Sequence, residues 1–116
     1  MAASLGLGVI RASDIARVAK FYEALGCAFV SERHGKGPEH LASDLGGTIF
    51  EIYPVGNQPA TVGVRLGFIV PSMSAAINAA ESAGGTIQTP PAESPWGLRA
   101  VLRDPEGHVV EVTQSA

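Results

Sequence analysis

Two glutamates stand in matching apolar surroundings, Glu51 in T-I-F-E-I-Y and Glu111 in H-V-V-E-V-T, 60 positions apart. A carboxylate in such a setting can orient a ligand, act as a general base or contribute to a cation site. Side chains alternate along a strand, so Glu51 points away from Phe50 and Ile52, and Glu111 away from Val110 and Val112. That opposite side is either open to water or the wall of a pocket. Arg65 is the third unusual residue. It interrupts V-G-V-R-L-G-F-I-V, where an unpaired buried charge is costly, and Glu51 or Glu111 is the candidate partner. An Arg–Glu cluster of this kind either neutralises itself or lets Arg65 reach a carboxylate or phosphate of a ligand.

Other side chains could contribute. Tyr53 shares the face of Glu51 and offers a hydroxyl. Trp96, in S-P-W-G, can stack on a planar or cationic ligand, or else anchor a loop or a dimer contact. Arg99 and Arg103 share a face with Val101, and are either solvated or placed so that one reaches a pocket. His34 lies in the polar stretch RHGKGPE and is expected in solvent. His108 follows DPEG and is expected to cap that turn or face solvent. His40 opens a strand and either joins the pocket face or does not. None of the three forms a helical H-x-x-x-H pair. Cys27 is the only cysteine, so an internal disulfide and a zinc finger are both excluded, and it reads as a small buried hydrophobe. No phosphate-cradling glycine loop and no nucleophile elbow occurs.

The elements that must position these residues repeat. Residues 5–10 (LGLGVI) predict a strand. Ser13-Asp14 then offers a cap to a helix with apolar residues at Ile15, Val18, Phe21, Tyr22 and Leu25, ended by Gly26. CAFVSER (27–33), HLASDL (40–45) and TIFEIYP (48–54) predict three strands, separated by GKGP and Gly46-Gly47. The second half follows the same order. VGVRLGFIV (62–70) is a strand, Pro71-Ser72 opens a helix over MSAAINAAESA, and Ala-Gly-Gly (83–85) ends it. TIQTPP, LRAVLRD (98–104) and HVVEVTQ (108–114) are three more strands, the last two joined by the DPEG turn. The halves are therefore residues 5–54 and 62–114, with a Pro/Gly/Asn-rich linker over 55–61.

Composition sets outer bounds. With 116 residues, 46% hydrophobic and 16% charged, the chain suits one globular domain. The net charge is −3 and the eight basic residues are scattered, which argues against nucleic-acid binding. No apolar run approaches the ~18 residues of a membrane span. The start of the chain lacks a basic stretch followed by an apolar core, so a cytoplasmic location is expected.

The βαβββ order, its duplication, FYEALG (21–26), the Gly-Gly after the second helix and the ending DPEGHVVEV together resemble the vicinal-oxygen-chelate superfamily. That group includes glyoxalase I, bleomycin-resistance proteins and extradiol dioxygenases. The likeness runs from about Leu5 to Gln114, and D-P-x-G-x-x-x-E is its most specific piece. It implies an α+β fold in which two βαβββ modules form a curled eight-stranded mixed sheet with the helices outside. It further implies a concave small-molecule pocket, with Trp96 near its mouth, and association as a homodimer. Metal enzymes of the superfamily place four ligands on the first and last strands of the two modules. Those positions fall here on Leu7, Glu51, Arg65 and Glu111. Leucine cannot coordinate, and a guanidinium repels a cation. The resemblance therefore points to metal-independent binding of a small molecule, with Leu7, Glu51, Tyr53, Arg65, Trp96, Arg99 and Glu111 around the ligand and no cofactor. The alternative is a divalent-metal lyase or isomerase of the glyoxalase type, with Glu111 as general base and Glu51 as a second catalytic candidate. A third reading is an interaction module whose cavity is filled. These residues suit a binder as well as an enzyme.

Overall fold

Asp14 and Ser72 each start a helix. In the computed structural model, which describes residues 2–115, the Asp14 carboxylate accepts from the Arg17 amide at 3.1 Å and the Ser72 hydroxyl from the Ala75 amide at 3.3 Å. Each cap satisfies a backbone donor that the first helical turn leaves without a partner. The helices are α1 (Ile15–Ala24) and α2 (Met73–Ser82). They stop where Gly26 and Gly84 adopt φ of 110° and 93°, a left-handed conformation that glycine reaches without steric penalty. Each buries one stripe: Val18, Ala19, Phe21 and Tyr22 on α1, and Met73, Ala76, Ile77 and Ala80 on α2.

The eight strands form two four-stranded mixed sheets. In the first, β1 (Leu7–Ala12) pairs in parallel with β4 (Ile49–Pro54), followed by β3 (His40–Asp44) and β2 (Val30–Glu32). In the second, β5 (Arg65–Val70) pairs in parallel with β8 (Val109–Gln114), followed by β7 (Gly97–Arg103) and β6 (Thr86–Ser94). The two sheets repeat one topology, as the duplicated order predicts. Several boundaries move. The first strand begins at Leu7 instead of Leu5, the strand expected over 27–33 shrinks to Val30–Glu32, and β5 begins at Arg65, after the turn at 61–64. The strand expected to end at Pro91 runs on to Ser94. It can do so because β6 is an edge strand with two register shifts around its prolines, where a missing N–H costs no ladder bond.

Alternation sorts the side chains. Ile10, Ala12, Phe50, Ile52, Val70, Ala100, Leu102, Val110 and Val112 turn towards the helices and make one core across both sheets. Burying a side chain of the size of Ile52 or Phe50 contributes roughly 1.5–3 kcal/mol. Tyr22 is at the centre, with its ring centroid 5.0 Å from Phe50 and 5.7 Å from Phe68 of the second sheet. The opposite faces carry the polar residues.

Candidate functional site

The register of the second sheet assembles a charged cluster. Arg65 lies beside Val109 and Gly67 beside Glu111, while Val101 lies beside Glu111 and Arg99 beside Thr113. Arg65, Arg99, Glu111 and Thr113 thus share the face turned away from the core. Arg65 donates to Glu111 Oε1 from Nε at 3.0 Å and from a terminal nitrogen at 2.6 Å. Arg99 donates to the same oxygen. Hydrogen bonds from Arg65 and Arg99 outweigh the small effect of burial and hold the Glu111 carboxyl below the usual carboxylate range. A cavity of about 430 Å³ opens over this cluster, lined by Ile69, Trp96, Arg99, Glu111 and Thr113. The Trp96 indole is 74% exposed at its edge. The backbone there is pinned by Ser94, whose hydroxyl donates to Gly97 O at 2.7 Å and accepts from the Trp96 amide at 3.2 Å.

The structure divides the residues expected around one ligand. Trp96, Arg99 and Glu111 meet at this cavity, and Arg65 joins them through Glu111. Glu51 lies on the other sheet, where it is 9% exposed and faces His40, with Nε2 3.5 Å from Glu51 Oε2. Of the two glutamates named as candidate partners of Arg65, Glu111 is the one that meets it. The residue opposite Arg65 is chosen by the β5–β8 ladder, which brings up Glu111 and not Glu51. Tyr53 also belongs to the first sheet, stacked on His40 at 4.0 Å with an interplanar angle of 9°. Leu7 is 54% exposed on β1 and does not line the cavity. Arg103 points to the DPEG turn and donates to Gly107 O at 3.0 Å. Sequence reasoning missed Ile69 and Thr113, which look like ordinary strand residues, although both fall on the Arg65 face by alternation.

Of the two places expected for His108, the structure takes the first: it closes on the DPEG turn and is fully buried, with Nδ1 2.8 Å from Asp104 Oδ2 and Nε2 3.0 Å from Thr61 Oγ1. A carboxylate only accepts, so Nδ1 carries a proton. Tyr22 Oη donates to the same Asp104 oxygen at 2.6 Å. Cys27 is buried, as a lone apolar-flanked cysteine predicts, and burial pushes its thiol up to about 11.

The four-ligand metal set that the sequence resemblance implies falls on Leu7, Glu51, Arg65 and Glu111, and these residues do not fit a cation. Leu7 has no donor atom, and the guanidiniums of Arg65 and Arg99 already occupy the Glu111 carboxylate.

The chain belongs to the glyoxalase-like domain family, whose sequence profile matches residues 8–113, within the vicinal-oxygen-chelate superfamily. Solved structures agree on the fold. A glyoxalase/bleomycin resistance protein/dioxygenase family enzyme from Burkholderia phytofirmans PsJN superposes with a TM-score of 0.76 at 22% identity, covering 98% of this chain and all of that one. A glyoxalase/bleomycin resistance protein from Albidiferax ferrireducens T118 gives 0.75 at 25% identity, covering 97% and 98%. TnmS3, an antibiotic binding protein from Streptomyces sp. CB03234, gives 0.76 at 22% identity, covering 99% and 98%. No curated protein matches significantly.

Proposed function

We propose that the cavity over β7 and β8 binds a small planar molecule carrying an anionic group, without a metal. One observation carries this reading: two guanidiniums converge on a single carboxylate oxygen, Glu111 Oε1, beside an exposed indole. With Arg65 on Glu111 beside the pocket, two positive charges against one negative leave the cluster net positive. The remaining guanidinium N–H groups suit a carboxylate or phosphate, and Trp96 offers a stacking face. The lyase or isomerase alternative is disfavoured, because a carboxyl held below its usual range is a weak general base at neutral pH. The fold also serves TnmS3, an antibiotic binding protein, so small-molecule capture is within its repertoire.

We further propose that two chains associate. β1 and β5 each present an unpaired edge, and Leu7, Val9 and Ile69 are exposed along them. An apolar groove of about 600 Å³, lined in part by Gly8, Phe50, Leu66 and Phe68, runs between these edges. A second copy would cover both the edges and the groove.

Trp96 is the only tryptophan, so its fluorescence reports on the cavity directly. Titration of chelator-treated protein with naphthalene carboxylates should quench it saturably. Arg99→Ala should weaken binding about tenfold or more, with the circular dichroism spectrum unchanged. Failure to bind at millimolar concentration, or binding that appears only after a divalent metal is added, would refute the reading.

A further inference from the structure

The polar face of the first sheet carries a second cluster, separate from the cavity over β7 and β8. Strand register builds it. Glu32 of β2 lies directly opposite His40 of β3, and Ala42, two residues on, lies opposite Glu51 of β4. His34 follows Glu32 by two residues and returns to the same side. One donor atom from each of Glu32, His34, His40 and Glu51 lies within 4.8 Å of all the others.

His40 explains why the cluster needs a cation. Its ring is 1% exposed, clamped flat against Tyr53, and its Nδ1 lies 3.2 Å from Pro38 O. A carbonyl accepts and cannot donate, so Nδ1 holds a proton, and in the neutral ring Nε2 then presents a lone pair. That nitrogen is buried and has no hydrogen-bond partner. It faces two carboxylates, Glu32 Oε1 at 3.3 Å and Glu51 Oε2 at 3.5 Å. A buried lone pair aimed at two anionic oxygens is repulsive, unless a positive centre stands between them. A backbone carbonyl on the far nitrogen is also the arrangement that orients a metal-binding imidazole and raises its basicity.

We propose that Glu32, His34, His40 and Glu51 bind one divalent transition-metal ion, with Zn²⁺ the best match. With metal–ligand bonds of about 2.1 Å, the edge of a tetrahedron is about 3.4 Å. The distances here are 3.3 Å for His40–Glu32, and 3.5 Å for both His40–Glu51 and His34–Glu32. Two imidazoles and two carboxylates form a borderline donor set suited to Zn²⁺ and unsuited to Ca²⁺ or Mg²⁺, which prefer all-oxygen shells. Four protein ligands close the shell, so the ion is structural: it ties the three-residue strand β2 and the loop after it to β3 and β4. This site differs from the inter-module set, with which it shares Glu51 alone, and it draws on a single module.

The test uses the full untagged chain after chelation, titrated with Zn²⁺ by calorimetry and with Co²⁺ by visible absorption. One ion per chain with micromolar or tighter affinity, a tetrahedral Co²⁺ spectrum and a raised melting temperature are expected. His40 is buried and its removal risks the fold, so the informative variants are His34→Ala and Glu32→Gln, both at accessible positions. Each should weaken Zn²⁺ binding about tenfold or more, with the circular dichroism spectrum retained. Glu111→Gln should leave Zn²⁺ affinity unchanged. The proposal fails if no stoichiometric binding occurs at 100 µM metal (about a hundredfold above the expected dissociation constant). It fails equally if binding withstands both His34→Ala and Glu32→Gln, or if Glu111→Gln abolishes it. Proton resonances showing a doubly protonated His40 in chelated protein that ignores Zn²⁺ would assign the positive centre to a proton instead.

Discussion

Asp104 shows how much one side chain of the D-P-x-G motif can carry. Its Oδ1 accepts the amides of Glu106, Gly107 and His108 at 2.8, 2.9 and 3.0 Å, which closes the turn. Its Oδ2 takes Tyr22 Oη and His108 Nδ1, linking α1 to the last turn of the second sheet. Burial on its own would raise the carboxyl's pKa, but the hydrogen bonds from His108 and Tyr22 together outweigh it and hold the group below the usual range. The folded state binds the Asp104 proton more weakly than the unfolded chain does. The resulting stability is complete above the unfolded carboxylate value of about 3.9 and is lost as pH falls through the lower folded value. Asp104→Asn should therefore flatten the acid limb of the stability curve below about pH 4. At pH 7 it should cost about 3 kcal/mol in urea denaturation, since His108 and Tyr22 lose a buried anionic acceptor. Superimposable acid limbs for the two proteins would contradict this account.

The helices are held against the sheets by close approach as much as by apolar stripes. Gly85 follows α2 where the chain passes over Phe21. A Cβ added there would lie 2.6 Å from Phe21 Cδ1 and 3.0 Å from Ala80 O. Phe21 is fully buried and cannot swing aside without disturbing the core. Gly85→Ala should cost roughly 1–3 kcal/mol by chemical denaturation. Gly63→Ala, which meets nothing within 4 Å, serves as the near-neutral control. Equal midpoints for these two variants would show that the core yields at Phe21. The need for an element break at Gly-Gly was legible in the sequence, but the reason for the second glycine was not. Its constraint is a ring 64 positions away in the chain, which no local pattern records.

Among the described residues, the chain leaves one side of each sheet without a protein layer and four strand edges unpaired, β1 and β2 in the first sheet and β5 and β6 in the second. The second copy proposed above predicts twice the monomer mass in sedimentation equilibrium. It also predicts that a charge introduced by Ile69→Lys, at a side chain 76% exposed, shifts the protein towards monomer with its helix content intact. A wild-type chain that sediments as a monomer at tens of micromolar would end that proposal. No helix among the described residues is long and apolar enough to cross a membrane.

Local pattern decided a good deal. Apolar spacing, caps and glycine breaks specify two helices and eight strands, because each depends on residues within a turn or two of one another. Alternation also settled which side of each strand carries its glutamate, and that Glu51 and Glu111 occupy equivalent places in a repeated unit. What each glutamate meets was decided by register, since cross-strand partners come from segments tens of residues apart. The β5–β8 ladder gives Glu111 two arginines, while the β2–β3–β4 ladder gives Glu51 a buried histidine. The same residue type in the same local pattern therefore has two different chemistries, set by the neighbours that folding brings alongside.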